Sequence, residues 1–201
     1  MVIVAGLVFA SFLVSFSWFV NRWLCRGDLR CDPYLLMLTA SAVFLLAVVL
    51  EAAFNPVYEL IFGHKLWEYR ALPLHDSNVS ALGAALWFAY GIHLYFTIQS
   101  LRHRLPDKLK GHHGKAIVIG FEAPLFAEVT GNLVFLAIAG QYYAYYLPGD
   151  LLHLTSLQAI PVYAVCVYLG LHALDRLERL PQRKEIPISM FAAGIVFLLT
   201  G

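Results

Sequence analysis

Hydrophobic residues in this chain form six long runs separated by short polar stretches. The runs cover residues 2–23, 34–62, 79–100, 116–140, 155–174 and 186–201. A helix needs about 20 predominantly apolar residues to cross a bilayer, so the last run, of about 16 residues, is near the lower limit and fits either a short helix or a re-entrant segment. The pattern predicts an all-α, polytopic membrane protein with about six transmembrane helices in a single transmembrane domain, residues 1–201.

The composition excludes two other classes of protein. The chain is 60% hydrophobic and 13% charged, with a mean hydropathy of +0.70. A soluble domain carries about 25% charged residues, and a disordered chain is poor in aromatic residues and rich in charge. Cys25, Cys31 and Cys166 are too few for a disulfide framework or a four-ligand zinc site. The first basic residue, Arg22, lies at the end of the first run and not before it, which indicates a retained helix instead of a signal peptide.

Basic residues gather in three of the five predicted loops. Of the 14 lysines and arginines, only Lys65 and Arg70 lie elsewhere. The others lie in the loops after the first, third and fifth predicted helices: Arg22, Arg26, Arg30; Arg102, Arg104, Lys108, Lys110, Lys115; and Arg176, Arg179, Arg183, Lys184. The positive-inside rule therefore predicts that these three loops are cytoplasmic and that both termini face the outer side.

The second and third predicted helices, with their loop, resemble the fourth and fifth. Glu51-x3-Asn55 matches Glu128-x3-Asn132. Each unit also has an aromatic cluster followed by a proline and a histidine: Trp67, Tyr69, Pro73 and His75 match Tyr143, Tyr145, Pro148 and His153. Near the end of each unit is a Gly-x-His sequence, so that Gly91-Ile92-His93 matches Gly170-Leu171-His172. The two units are offset by two helices, so equivalent helices cross the membrane in the same direction. The pattern therefore predicts a parallel repeat, whose two units are related by an axis along the membrane normal. Chance similarity is the alternative.

Glu51 and Glu128 are the candidate catalytic residues. An ionisable side chain inside hydrocarbon costs at least about 2.5–3.5 kcal/mol on insertion scales, so each is a functional candidate. A buried neutral carboxyl group can protonate an alkene, an epoxide or a carbonyl, and a second carboxylate can take a proton back. Asn55 and Asn132 would orient the two groups, and Glu59 shares the helical face of Glu51. All three would also contribute to substrate binding. The alternative is that these polar groups hydrogen-bond between helices and only fix packing.

The two outer loops contribute a second set of candidates, which would bind substrate: Trp67, Tyr69, His75, Tyr143, Tyr145 and His153. Their aromatic rings either form the usual belt at the membrane interface or close the outer end of a cavity and stabilise a cation by its attraction to the ring faces.

Cofactor chemistry has little support in the sequence. His93 and His172, on different helices at similar depth, would be candidate haem ligands, or else histidines with a packing role. Nucleotide-binding, hydride-transfer and zinc-protease motifs do not occur in the chain. The topology rule already accounts for the basic loops, so we expect no cofactor and no nucleic-acid partner.

The order of an intrahelical glutamate, an aromatic-x-Tyr loop with a proline, and a further apolar helix resembles small integral-membrane isoprenoid enzymes. These are the fungal-type membrane terpene cyclases and the carotenoid cyclase or hydratase proteins. The matching residues are Glu51, Trp67-Glu68-Tyr69 and Pro73, echoed by Glu128, Tyr143-Ala144-Tyr145 and Pro148. The resemblance implies protonation of a lipid-soluble polyene or epoxide by a buried carboxyl group, without a cofactor.

The sequence thus leads to one main hypothesis and two alternatives. The main hypothesis is a cofactor-independent membrane enzyme that cyclises, hydrates or isomerises a lipid-soluble isoprenoid, with that substrate and membrane lipids as its partners. The first alternative is a small-solute or proton-coupled transporter that uses the same carboxyl groups. The second is a haem-binding redox protein or an assembly subunit of a larger complex.

Overall fold

The structure, a computed structural model, describes residues 1–200, so Gly201 at the end of the sixth predicted run lies outside the described residues. The helical elements are α1 (Val2–Leu24), α2 (Pro33–Phe62), α3 (Gly83–Arg104), α4 (His112–Glu122), a π-helical segment (Ala123–Glu128), α5 (Val129–Ala139), α6 (Ala159–Glu178) and α7 (Glu185–Thr200). Among residues 1–200, four continuous helical stretches are long and apolar enough to cross a membrane: Val2–Leu24, Pro33–Phe62, His112–Ala139 and Ala159–Glu178. The prediction of a mainly helical chain with membrane-like helices is confirmed.

Two helices begin later than the hydrophobic runs predict. Residues 79–80 form a short strand, β3 (Val79–Ser80), which pairs with β2 (Pro73–Leu74), so α3 starts only at Gly83. Near the start of α6, the Ser156 hydroxyl accepts a hydrogen bond from the backbone N–H of Gln158 at 3.1 Å. Such a local bond between a side chain and the backbone favours a turn over helix, and α6 starts at Ala159.

Local sequence signals define both ends of α2, the longest helix. The Asp32 carboxylate accepts hydrogen bonds from the backbone N–H groups of Tyr34 and Leu35, at 2.9 and 3.1 Å, which is a standard N-cap. Pro33 occupies the first turn, where its missing N–H leaves no bond unmade. Gly63 ends the helix in the left-handed conformation, with φ of 77°.

The helices pack closely where their facing residues are small. α3 packs against α1 and α2, α4 against α6, α1 against α5, and α7 against the outer side of α2. At Gly91 an added Cβ would lie only 2.6 Å from the Cα of Ala40, and at Gly120 it would lie 2.7 Å from the Cβ of Ala164. Small residues at such crossings let the backbones approach closely, which favours helix association in a membrane.

The loops gather at two opposite ends of the helices. At the basic end, formed by residues 25–32, 105–111 and 179–184, Arg104 Nε donates to the Leu24 carbonyl at 2.5 Å. Nearby, His112 Nε2 lies 3.1 Å from Asp175 Oδ2. The aromatic end, formed by residues 63–82 and 140–158, brings the two remaining loops together in one small sheet.

In that sheet, β1 (Trp67–Tyr69) pairs antiparallel with β4 (Ala144–Tyr146), and Glu68 lies opposite Tyr145. The sheet therefore covers one end of the helical interior.

We predict that Gly91→Val lowers the free energy of unfolding by about 1–3 kcal/mol, because the added side chain would overpack the contact with Ala40. The measurement is equilibrium unfolding of the detergent-solubilised protein. Gly170→Ala is the matched control, because no atom outside its own helix lies within 4 Å of its ideal Cβ. Equal destabilisation in the two variants would contradict the close α2–α3 contact.

Candidate functional site

Glu51 is buried near the middle of α2, with donors at both carboxyl oxygens. The Tyr69 hydroxyl on β1 donates to Oε1, and the indole N–H of Trp87 on α3 donates to Oε2 at 3.1 Å. A buried carboxyl group needs such partners, because burial separates it from bulk solvent. A neighbouring helix and the sheet at the aromatic end therefore fix this side chain.

Glu128 is the last residue of the π-helical segment and has three donors. The hydroxyl groups of Tyr146 and Tyr163 both donate to Oε1, the latter at 2.5 Å. The Thr155 hydroxyl donates to Oε2 at 2.5 Å. Glu128 is thus enclosed by β4, by α6 and by the loop that precedes α6.

The π-helical segment Ala123–Glu128 contains Pro124, which has no backbone N–H to donate within a helix. A π-helical turn interrupts the regular ladder of hydrogen bonds, and such turns are frequent at functional sites. Here the segment joins α4 to α5, and Glu128 leaves from its end.

Asn55 holds the backbone of β1. Its Nδ2 donates to the Trp67 carbonyl at 3.0 Å, and its Oδ1 accepts the Leu66 N–H at 3.2 Å. We expected Asn55 to orient Glu51 directly, but both of its hydrogen bonds go to the strand and the residue before it. Asn55 therefore acts on Glu51 only through β1, which carries Tyr69.

Asn132 does the same for β4. Its Nδ2 donates to the Ala144 carbonyl at 2.9 Å, and its Oδ1 accepts the Tyr143 N–H at 2.8 Å. A further bond from Nδ2 reaches the Leu154 carbonyl at 2.6 Å. Asn132 is thus also attached to backbone instead of to the carboxyl group.

The hydrogen bonds around the two carboxyl groups share one spacing along the chain, which we call the repeat offset and define as the separation from Glu51 to Glu128. Their tyrosine donors, Tyr69 and Tyr146, are separated by the same offset. It also separates Asn55 from Asn132, and the backbone groups that each asparagine binds: Leu66 from Tyr143, and Trp67 from Ala144.

The two carboxyl groups line different cavities. Glu51 lines a cavity of about 150 Å³, and Glu128 lines a smaller one of about 60 Å³. Four aromatic side chains line both cavities and form the partition between them: Trp87, Tyr90, Tyr146 and Tyr163. Aromatic faces and phenol hydroxyl groups thus lie between the two carboxyl groups.

The tyrosines of the sheet are hydrogen-bond donors at neutral pH. Burial, together with the neighbouring Glu51, raises the pKa of Tyr69 well above its usual value. Burial and the neighbouring Glu128 raise the pKa of Tyr146 in the same way. Both phenols therefore keep their protons, which they share with the carboxyl oxygens.

Three of the predicted aromatic residues line the cavities. Trp67 lines the larger cavity, and its ring stacks on Phe54 with centroids 5.5 Å apart. Tyr143 lines the smaller cavity, and its ring lies 5.0 Å from that of Tyr69. Tyr69 lines the smaller cavity as well.

Tyr145 lies away from both cavities. Its ring stacks on His153 with centroids 4.3 Å apart, and the Arg70 guanidinium lies 5.3 Å from the ring centroid. His153 also bonds the Tyr146 carbonyl through Nδ1 at 2.6 Å. Alternation along β4 explains the result, since neighbouring residues of a strand point to opposite faces.

The structure also places His75 and Glu59 outside the cavities. The His75 ring stacks on Phe197 of α7, with centroids 5.2 Å apart. Glu59 is exposed, because the buried face of α2 continues from Asn55 to Tyr58. The predicted i+8 spacing from Glu51 therefore drifts off the buried face of the helix.

His93 and His172, the candidate haem ligands, have separate partners. His93 Nε2 lies 2.9 Å from Glu122 Oε1, whereas the His172 ring packs edge-on against His112, with centroids 4.4 Å apart. Within residues 1–200, no group of three or more His, Cys, Asp or Glu side chains is arranged to hold a metal ion.

Sequence reasoning missed several residues that contact the carboxyl groups: Trp87, Tyr146, Thr155 and Tyr163. The sequence does contain a signal for Tyr146: it lies one repeat offset after Tyr69, just as Glu128 lies one repeat offset after Glu51. Matching Tyr69 with Tyr145 instead was off by one position. Nothing in the local sequence distinguishes the other three from ordinary interfacial or packing residues.

No protein-family model, no curated protein and no solved structure matches this chain. The functional inference therefore depends on the chemistry of the site itself.

We predict that Tyr69 and Glu51 are energetically coupled. In a double-mutant cycle of Tyr69→Phe and Glu51→Ala, the coupling free energy of unfolding should be about 1–3 kcal/mol, because each single change removes the buried hydrogen bond between the two side chains. Unfolding of the detergent-solubilised variants measures it. Tyr142→Phe with Glu51→Ala is the control, since the Tyr142 hydroxyl donates to the Leu152 carbonyl instead. Additive effects in the Tyr69 cycle would contradict the contact.

Proposed function

We propose that this protein is a membrane-embedded, cofactor-independent enzyme that carries out acid/base chemistry on a lipid-soluble isoprenoid. The reaction class is cyclisation, hydration or isomerisation. One observation carries the proposal: a buried carboxyl group, Glu51, lines a cavity whose other walls are almost entirely apolar or aromatic. Such a cavity suits a hydrocarbon substrate and keeps bulk water away from a reactive cation.

Glu51 is the proposed acid. It lines the larger cavity, where a substrate fits, and it accepts two hydrogen bonds where Glu128 accepts three. In an isomerisation or cyclisation, the Glu51 proton forms a new C–H bond with the π electrons of an alkene, or an O–H bond with an epoxide oxygen. The substrate becomes a carbocation, and Glu51 becomes a carboxylate.

Glu128 is the proposed base, and it is reached through tyrosine hydroxyl groups. Tyr146 and Tyr163 line the larger cavity and donate to Glu128 Oε1. When a C–H bond beside the cation breaks, its electron pair forms the new double bond. The proton passes to a tyrosine oxygen as that tyrosine's own proton passes to Glu128. Return of the proton from Glu128 to Glu51 completes the cycle, so isomerisation and cyclisation consume no other reactant. Hydration would instead consume one water molecule, whose oxygen bonds to the cation and whose proton passes to Glu128 by the same route.

The walls of the larger cavity suit a cationic intermediate. Trp67, Trp87 and Tyr90 all line it. A cation near the face of an aromatic ring is stabilised by roughly 0.5–2 kcal/mol, and the effect is greatest at Trp and in a desolvated site. The sequence hypothesis that outer-loop aromatic residues stabilise a cation therefore applies best to Trp67.

We further propose six transmembrane spans, with α3 and α7 as the third and sixth, and a parallel two-fold repeat. The constant repeat offset among the contacts of Glu51 and Glu128 supports the repeat. The basic loops meet at one end, which supports a cytoplasmic basic end and an outer aromatic end.

The test of the enzyme proposal compares organic extracts of host membranes by mass spectrometry. Glu51→Gln and Glu128→Gln should each abolish a lipid-soluble product that the wild-type protein forms, because glutamine keeps the shape but cannot exchange a proton. Glu59→Gln is the matched control, since Glu59 is an exposed glutamate on the same helix. In D₂O a product that forms by protonation of an alkene should carry deuterium at a carbon, where it does not exchange during extraction.

Full activity in both glutamine variants, with the folded protein present, would overturn the acid/base assignment. A second outcome would also overturn the enzyme proposal. If extracts do not differ, and proton-coupled flux into liposomes is lost in the glutamine variants, the carboxyl groups serve transport.

The orientation has its own test. Cys31 is exposed at the basic end, Cys25 is buried and Cys166 lies within α6. A membrane-impermeant maleimide should label Cys31 only after the cell membrane is permeabilised. Position 64 is exposed at the aromatic end. A cysteine introduced there by His64→Cys, in a Cys31→Ser background, should be labelled in intact cells. The reverse pattern would contradict the orientation.

A further inference from the structure

The larger cavity is part of a cleft between α2 and α6. Glu51, Trp67 and Tyr146 lie at its upper end, near the sheet, and Ile98 and Leu174 lie towards the basic end. α2 and α6 approach each other without packing along their length, whereas each packs closely against other helices. The gap between them therefore runs from the carboxyl group towards the opposite end of the helices.

The cleft opens sideways, towards the region that lipid would occupy. Leu46 and Leu50 both line the cavity, yet 38% and 44% of their surface is exposed. Both lie in the middle third of α2, far from either end of the helix. An opening lined by leucines at that depth faces lipid tails, so an apolar molecule can enter without passing through water.

The cleft is long and narrow. Along α3 its wall runs from Trp87 to Ile98, and along α6 from Tyr163 to Leu174. At a rise of 1.5 Å per residue, each wall is about 17 Å long. A cavity of about 150 Å³ that extends along two helix walls is elongated, a shape that suits one extended chain better than a compact fused ring system.

We propose that the occupant of this cleft is a linear, acyclic prenyl chain that enters from the bilayer between α2 and α6, with one end at Glu51. We also propose that Gly170 determines how long a chain can bind. This inference rests on the proposed function, because it assigns the substrate of the same site.

Gly170 has the position and the space for that role. It lines the cleft one turn after Cys166 and one turn before Leu174, on the face of α6 that carries the other lining residues. No atom outside its own helix lies within 4 Å of an ideal Cβ there. A larger side chain at this position would fill the cleft without displacing the backbone of another helix.

The test is photo-crosslinking with a geranylgeraniol that carries a diazirine on its chain, followed by peptide mapping. The protein is the full chain in lipid nanodiscs, with Glu51→Gln, so that binding is measured without turnover. Residues 162–174 should be labelled, and unlabelled geranylgeraniol should compete. Labelling of the exposed face of α1, at Leu7 and Phe12, measures non-specific contact and should not respond to the competitor.

Gly170→Leu tests the chain-length assignment. We expect competition by geranylgeraniol to weaken about tenfold or more, because each methylene in an apolar pocket is worth roughly that factor. Competition by the shorter geraniol should persist. Gly170→Ala should give an intermediate effect, and Leu169→Phe, at an exposed neighbour outside the cleft, should give none.

Three outcomes would overturn the inference. The first is labelling spread over the outer helix surfaces with no competition. The second is competition by cholesterol and not by the prenyl alcohols, which would assign a polycyclic occupant. The third is unchanged geranylgeraniol competition in a folded Gly170→Leu protein. Specific labelling together with an inactive wild-type protein would instead leave the binding inference standing and reject the enzyme proposal.

Discussion

A carboxyl group among apolar helices must find its hydrogen-bond donors within the protein, because lipid offers none and an unpaired buried charge costs far more than the packing around it returns. In the middle of a helix, every backbone N–H group already donates to a carbonyl of the same helix. The donors for Glu51 and Glu128 are therefore side chains, and each set includes a tyrosine from the sheet at the aromatic end. The position of that sheet is thus a condition for burying the carboxyl groups at all.

Two asparagine side chains on the helices hold the sheet in place. Asn55 and Asn132 lie one helical turn beyond the glutamates, and their amide groups bond the backbones of β1 and β4. A strand of three residues has too few bonds of its own to be stable in isolation, so the asparagines and the β1–β4 pairing together fix its register. A one-residue slip would turn Tyr69 away from Glu51. The asparagines thus contribute to the site through backbone, at a distance from the chemistry.

The sequence was most informative where energy leaves few choices. Placing a glutamate inside a membrane costs free energy, so hydropathy alone identifies Glu51 and Glu128 as candidate site residues, and the repeat offset between them also locates Tyr146. Side-chain positions that depend on tertiary contacts could not be predicted from the sequence. An α-helix has 3.6 residues per turn, so a residue eight positions after Glu51 no longer points to the same side of the helix. Glu59 therefore lies off the buried face of α2. Thr155 was assigned to a helix, although its hydroxyl binds Glu128 before α6 begins.

The two carboxyl groups have equivalent places but different surroundings, and the difference is what suggests a direction for the chemistry. Glu128 is closed in by three hydroxyl donors beside a small cavity, between α1 and α5. Glu51 has two donors and faces the open cleft. A symmetric pair would offer the substrate two identical groups, and neither would be committed to giving or taking a proton. α1 and α5 pack together, whereas α2 and α6 leave a gap. In the proposed mechanism, that gap lets the substrate reach Glu51 first, and the aromatic partition lies between Glu51 and the proposed base, Glu128.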